Sequence, residues 1–301
     1  MYQKNIWKDA DATKTEKITA FCEDYKKFLS YAKTERLAVE ETERIAREHG
    51  FKKFDEVKEI KAGEKIYFIN KNKNVILYRM GKKPLSEGMR ILGAHIDSPR
   101  LDLKQNPLYE SEGFALFDTH YYGGIKKYQY VTTPLAIHGV VCKKDGTTVK
   151  VNVGECDDDP ILGISDLLIH LSQKQLTATA DKVVEGENLD VTVGSIPLNG
   201  EDDEPVKKNI LKIFKDKYGV EEDDFASAEL EIVPAGKARD YGLDRSMIAS
   251  YGHDDRVCAY TSLIALLDSD TEDYTACCVL VDKEEIGSVG ATGAASVFFE
   301  N

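Results

Sequence analysis

The 301-residue chain has no net positive charge, no long apolar run and no C-x-x-C cysteine pair, and each absence argues against a class of function. Forty lysines and arginines stand against 53 aspartates and glutamates, a formal net charge of −13 at pH 7. That balance argues against nucleic acid or an anionic membrane as a partner, and it suits a site that holds divalent cations. No apolar stretch approaches the roughly 20 residues of a membrane-spanning helix. The opening Met1-Tyr-Gln-Lys-Asn-Ile-Trp-Lys-Asp9 is polar and has no apolar core of the kind a secretory signal carries. The cysteines, Cys22, Cys142, Cys156, Cys258, Cys277 and Cys278, include no C-x-x-C pair, which points to a reducing, cytoplasmic setting. Cys258, Cys277 and Cys278 lie in apolar runs and read as small buried hydrophobes. There is no internal repeat and no low-complexity tract. Tyr121-Tyr-Gly-Gly124 lacks the glycine spacing and the following Lys-Ser/Thr of a phosphate loop.

What remains is a soluble globular composition, 42% hydrophobic and 31% charged, in a chain long enough for two domains. Apolar residues at helical spacing, Ile18, Phe21, Tyr25, Phe28 and Leu29, predict a helix over 13–33, and a second runs over 34–49 to a glycine cap at Gly50. Strands are expected at Lys65–Asn70, Val75–Arg79 and Met89–Ala94. Past Pro107 the texture becomes β-rich, with strands at Leu135–Val141 and 147–151. A helix is expected from Pro160 to about Gln175, a loop over 181–207, a helix over Pro205–Tyr218 and a strand over Ala228–Pro234. Asp254–Leu267 has the pattern of a buried helix, Tyr274–Val281 that of a buried strand, and Gly293–Phe299 that of the start of a helix. The fold class is therefore α/β: a mixed sheet flanked by helices, formed by residues 1–104 and 240–301, with an inserted β-rich domain at 105–239.

The stretch Val279–Ser288 organises the chemistry. Its strand ends in a turn carrying two adjacent carboxylates, Glu284 and Glu285, and in open α/β sheets ligands bind beyond the carboxyl ends of the strands. Paired carboxylates are costly together unless a cation lies between them; otherwise they form a solvated acidic turn. His95-Ile-Asp97 also follows an apolar strand. An aspartate two residues from a histidine on extended chain shares its face and can orient the imidazole as a metal ligand, though the same pair suits a hydrogen-bonded structural histidine. In Tyr251-Gly-His-Asp-Asp-Arg256, Asp254 or Asp255 reads either as a helix N-cap or as a carboxylate bridging two metal ions, with Arg256 able to hold Asp255. Together these segments supply imidazole and carboxylate ligands compatible with zinc, cobalt or manganese.

Gly93-Ala-His-Ile-Asp-Ser-Pro-Arg-Leu-Asp-Leu-Lys104, Tyr251-Gly-His-Asp-Asp-Arg-Val-Cys-Ala-Tyr260 and Asp282-Lys-Glu-Glu-Ile-Gly-Ser288 together resemble the M18 family of metallo-aminopeptidases, and the resemblance runs across nearly the whole chain. It covers the insert segments Phe117–Gly124 and Pro160–Leu171. The resemblance implies a zinc-dependent hydrolase that removes the N-terminal residue of peptides, using two divalent ions per complete site. It implies that His95 and Glu285 each ligate a metal, that Asp254 bridges the two and that Asp97 orients His95. Glu284 is then the general base that takes a proton from the attacking water. It further implies an insert that dimerises and covers the site, and a homo-oligomer such as a dodecamer built from dimers.

Two departures follow. The family's site draws a further aspartate and a final histidine from segments after the Glu-Glu motif, whereas this sequence ends at Asn301, sixteen residues beyond Glu285. On the resemblance, the sequence stops inside the catalytic domain. The alternative to an active aminopeptidase is then a catalytically incomplete fragment, or a non-catalytic oligomeric assembly subunit of the same fold. In the insert, aspartyl aminopeptidases carry a histidine that reaches a neighbouring subunit's site. The matching position here is Asp166, with His170 one helical turn on and on the same face. His170 can take over that metal or substrate contact, Asp166 can alter it, or His170 can be a buried structural residue.

Overall fold

The computed structural model describes residues 5–270 and 273–299; the first four residues of the polar start, and Asn301, lie outside them. In chain order the elements are α1 (Ala12–Tyr31), α2 (Glu35–Glu48), β1 (Lys52–Lys53), β2 (Lys65–Asn70), β3 (Asn74–Arg79), β4 (Met89–His95), β5 (Arg100–Ser111), β6 (Phe114–Tyr122), β7 (Leu135–Cys142) and β8 (Thr148–Val153). They continue with α3 (Gln173–Thr177), β9 (Val191–Gly194), α4 (Pro205–Tyr218), β10 (Ala228–Pro234), β11 (Arg239–Tyr241), β12 (Met247–Ala249), α5 (His253–Asp268) and β13 (Thr275–Val281). Among the described residues no helix is long and apolar enough to cross a membrane. The chain divides into two compact units, residues 1–96 with 237–282, and residues 97–236 with 283–301.

The first unit is built on a mixed sheet of order β1-β2-β3-β13-β4. The apolar run that predicts a buried strand is β13, antiparallel to β3 and parallel to β4. Its register places Val281 opposite His95, and Ile96 donates its N–H to the Val281 carbonyl at 2.8 Å, so both strands end together. Helix α1 starts where the Asp11 side chain accepts from Lys14 N, and α2 where Thr34 accepts from Leu37 N, each satisfying a donor that a helix start leaves over. Helix α2 ends at His49, with Gly50 at φ +83° and the Phe51 N–H returning to the Ala46 carbonyl. Tyr25, Phe28 and Leu29 of α1, Tyr67, Leu77 and Cys278 of the sheet, and Ala259, Leu263 and Leu266 of α5 form one buried apolar core.

Helix α5 is buried along one face and not all round: Arg256, Ala259, Tyr260 and Leu263 are buried while Val257 and Cys258 are exposed. Cys258 is therefore a surface thiol, against the expectation, whereas Cys277 and Cys278 are buried.

The second unit carries a six-stranded sheet of order β8-β7-β10-β5-β6-β9. Helix α4 has the bounds expected of it. Proline occupies its first turn, Gly219 closes it at φ +64°, and Val206, Ile210 and Phe214 form its buried stripe. Phe214 meets Phe117 at a ring separation of 5.9 Å and Phe225 at 5.3 Å.

Three expectations fail in this unit. Between Pro160 and Gln175 only Gln173–Thr177 is helical. Leu162 instead exchanges both backbone hydrogen bonds with Leu135, and Ile164 bridges to Val131, so the segment's peptide groups serve neighbouring chain rather than a helix. The expected loop over 181–207 contains β9, which pairs with β6. Residues 293–299 form turns and one 3-10 turn, Val297–Phe299, rather than the start of an α-helix.

Candidate functional site

In the first unit, His95 is the last residue of β4, and its Nε2 lies 3.2 Å from Oδ1 of Asp254. The imidazole is 10% exposed and the carboxylate 84% exposed, so one partner is fixed in the fold while the other opens to solvent. Asp254 and Asp255 have non-helical dihedrals although they lie at the start of α5, and the cap position is Gly252, with no capping side chain. Regular helix thus begins after Asp255, which leaves these aspartates at the helix entrance. Two donors of a tetrahedral zinc site with bonds of about 2.1 Å stand about 3.4 Å apart, and the His95–Asp254 pair matches that spacing.

The residue before Asp254 is fixed from two sides. His253 Nδ1 lies 3.0 Å from the Tyr25 hydroxyl, and Nε2 lies 3.1 Å from the Ile248 carbonyl. A carbonyl only accepts, so the neutral ring carries its proton on Nε2, and Nδ1 accepts from Tyr25. Burial raises the Tyr25 pKa, which keeps that hydroxyl a donor. Buried Arg256 donates to the Lys33 carbonyl at 3.1 Å and its guanidinium lies 5.5 Å from the centre of the Tyr251 ring.

In the second unit, Asp97 is fully buried and accepts from at least three donors. The Tyr122 hydroxyl donates to Oδ2 at 2.7 Å, the Glu285 N–H to Oδ2 at 3.2 Å and the Glu284 N–H to Oδ1 at 3.2 Å. Glu284–Ile286 is one 3-10 turn, flanked by left-handed Lys283 and Gly287. Glu284 is exposed and Glu285 half-buried. Behind Tyr122, the Arg100 guanidinium sits 4.0 Å from the ring centre and is paired with Asp102 at 2.7 Å and Glu231 at 3.2 Å.

Asp166 and His170 do not share a helix face, because residues 165–171 are not helical. Asp166 Oδ1 accepts from Leu167 N and Gln175 Nε2, and His170 lies exposed in a turn, not buried. His138 is the buried structural histidine of this unit, 3.0 Å from Glu155. Tyr25, Tyr122 and Arg100 were not among the residues singled out from sequence. A tyrosine carries no metal-ligand signature; Tyr122 stood in the Tyr-Tyr-Gly-Gly run, Arg100 in the Gly93–Lys104 motif and Tyr25 in a helix pattern, and none of these marked a role in the site.

The chain matches the family model described as aminopeptidase I zinc metalloprotease (M18) over residues 28–301. A relative from Clostridium acetobutylicum named "Probable M18 family aminopeptidase 1" is 54% identical over 99% of this chain and 65% of its own length. A crystal structure of an M18 family aminopeptidase from Thermotoga maritima is similar with a TM-score of 0.94 at 46% identity, over 99% of this chain and 65% of that one. A crystal structure of aminopeptidase I from C. acetobutylicum has a TM-score of 0.90 at 51% identity, over the whole of this chain and 67% of that one. The chain spans about 65% of the length of the curated relatives it matches.

Proposed function

The chain belongs to the M18 family of aminopeptidase I zinc metalloproteases, and from that premise we propose that it is part of a metal-dependent aminopeptidase that hydrolyses the N-terminal residue from peptides with a free amine. The observation that carries this reading is the His95–Asp254 pair, an imidazole and a carboxylate held 3.2 Å apart where β4 ends and α5 begins. His95, Asp254 and Glu285 are the proposed zinc ligands, one imidazole and two carboxylates, a donor set that also accepts cobalt or manganese and that suits a site of two ions. Bound zinc supplies a Lewis acid for the scissile carbonyl and lowers the pKa of water.

The chain's own groups do the rest. The Glu284 carboxylate accepts a proton from the attacking water and passes it to the departing amine. Asp97 holds the main chain of Glu284 and Glu285 while those side chains act. The catalytic part comprises residues 1–104 and 240–301, and residues 105–239 form the dimerising lid.

A homo-oligomer, a dodecamer built from dimers, belongs to the same reading. Its support is the apolar exposure of Leu167, Leu168, Ile169 and Leu171 in the insert. Exposed His170 is the residue of that segment suited to reach a neighbouring subunit, since Asp166 is engaged locally. A reducing, cytoplasmic setting fits the six free cysteines.

The test is metal analysis of the purified protein with a panel of aminoacyl amides bearing free and blocked N-termini. Bound zinc and release of free amino acids, lost in Glu284→Gln with zinc retained, is the expected result. No bound ion and no turnover would favour the non-catalytic assembly subunit instead.

A further inference from the structure

The Tyr121-Tyr-Gly-Gly124 run has no part in the chemistry described so far, yet two independent observations tie it to the acidic turn. The first is a hydrogen bond: the Tyr122 hydroxyl, on a residue 8% exposed, reaches Asp97 Oδ2, the oxygen that also accepts the Glu285 amide. The second is a close approach. Gly123 has φ +71°, and a Cβ built there would stand 3.1 Å from Glu285 Cβ, 3.4 Å from Pro99 Cγ and 3.5 Å from Glu285 Oε2. The positive φ favours glycine at 123, and a Cβ there would crowd the Glu285 side chain, which would have to shift to admit it.

We propose that Tyr122 and Gly123 are positioning residues for the Glu284–Glu285 turn. Tyr122 acts through the Asp97 carboxylate, and Gly123 by leaving the space that the Glu285 side chain occupies. The physical logic is one of constraint. A carboxylate with two oxygens has several orientations open to it, and two amides 3.2 Å away do not by themselves select one. A short bond from a buried hydroxyl does. The hydroxyl is itself fixed, because its ring lies against the Arg100 guanidinium, which Asp102 and Glu231 hold in place. The chain of constraint therefore runs from the buried ion pairs, through the Tyr122 ring and the Asp97 carboxylate, to the amides of two adjacent glutamates. Its role in catalysis rests on the aminopeptidase reading; its role in holding the turn does not.

The experiment is residue-resolved hydrogen exchange on the full chain, without added metal. In the wild-type protein the Glu284 and Glu285 amides should be protected despite lying in a short surface turn; unprotected amides would overturn the proposal whatever any variant does. Tyr122→Phe keeps the ring and its guanidinium contact and removes only the hydroxyl. It should speed exchange at those two amides about tenfold, the effect of losing one charge-assisted hydrogen bond. Tyr109→Phe removes a hydroxyl that also donates to a carboxylate of the same unit, Asp190 at 2.6 Å, and should leave both amides unchanged. Equal acceleration in both variants would show general loosening and overturn the proposal, as would exchange in Tyr122→Phe within twofold of wild type.

A zinc titration of Tyr122→Phe separates the two readings. Weakening of about tenfold alongside faster exchange supports both. Faster exchange with unchanged zinc affinity supports the brace and shows that holding the turn does not govern zinc binding.

Discussion

Replacing Tyr25 with phenylalanine deletes one oxygen and tests how the residue before Asp254 is held. The Tyr25 ring is 6% exposed and packs against Tyr260 with ring centres 5.2 Å apart, contacts that phenylalanine keeps. What goes is the bond from the hydroxyl to His253 Nδ1, 3.0 Å long. The imidazole cannot compensate by shifting its proton, because Nε2 already faces the Ile248 carbonyl at 3.1 Å and must donate to it. The variant therefore loses a bond of about 1 kcal/mol net and leaves a part-buried acceptor unmet, a total of about 1–3 kcal/mol. Deleting the whole ring would cost about 3–5 kcal/mol, so the two kinds of lesion are separable in size. Urea unfolding at pH 7.5 reads the loss as a lower midpoint at unchanged slope. Nitrogen NMR of wild-type His253 should show the proton on Nε2. A loss below about 0.3 kcal/mol, or a proton on Nδ1, would refute the reasoning.

Three further outcomes are expected. Glu110→Ala should destabilise the second unit by about 1–2 kcal/mol, because Glu110 Oε2 accepts from the Val206 and Lys207 amides at 2.8 and 3.0 Å and so caps the start of α4; circular dichroism melts would show it. Phe214→Ala should cost about 3–5 kcal/mol in urea titration, since its ring is 8% exposed between Phe117 and Phe225. Iodoacetamide at pH 8 should label exposed Cys142 and Cys156 in the native protein and spare Cys277. Burial pushes the Cys277 thiol up from 9.0 to about 11, and because the reactive thiolate forms only as pH rises through the pKa, its population at pH 8 falls about 100-fold; labelling of Cys277 at the rate of Cys142 would contradict this.

What the sequence made legible depended on how local each signal was. Helix α4 could be bounded because proline at its start, glycine after its end and a three-residue apolar stripe all lie within one segment. Strand β13 could be found because a strand buried on both faces is a continuous apolar run. Leu162 and Ile164 misled because apolar residues near a proline read as helix, while their partners Leu135 and Val131 lie far back in the chain. Strand β9 is four residues long and borrows its stability from β6, so no local pattern announced it. The candidate site divides in the same way. His95, Asp97, Asp254, Glu284 and Glu285 sit in compact motifs. Tyr25 meets His253 across 228 residues and Tyr122 meets Asp97 across 25, and neither separation leaves a trace in spacing.

The residues that sequence missed share a mode of action. Tyr25 and Ile248 fix His253, whose peptide bond leads into Asp254. Tyr122 fixes Asp97, which takes hold of the amides of Glu284 and Glu285. In both units the carboxylates of the proposed site sit next to main chain that other residues hold, an anchor separate from their own oxygens. A carboxylate anchored by its own oxygens would have to give up that anchor to bind an ion or take a proton; one anchored through its amide does not. The two classes of substitution should therefore behave differently. On the proposed function, Glu284→Gln should abolish turnover and leave the turn in place, since the bond to Asp97 comes from its N–H. Changes at Tyr25 or Tyr122 leave the reactive groups intact and loosen the frame that holds them.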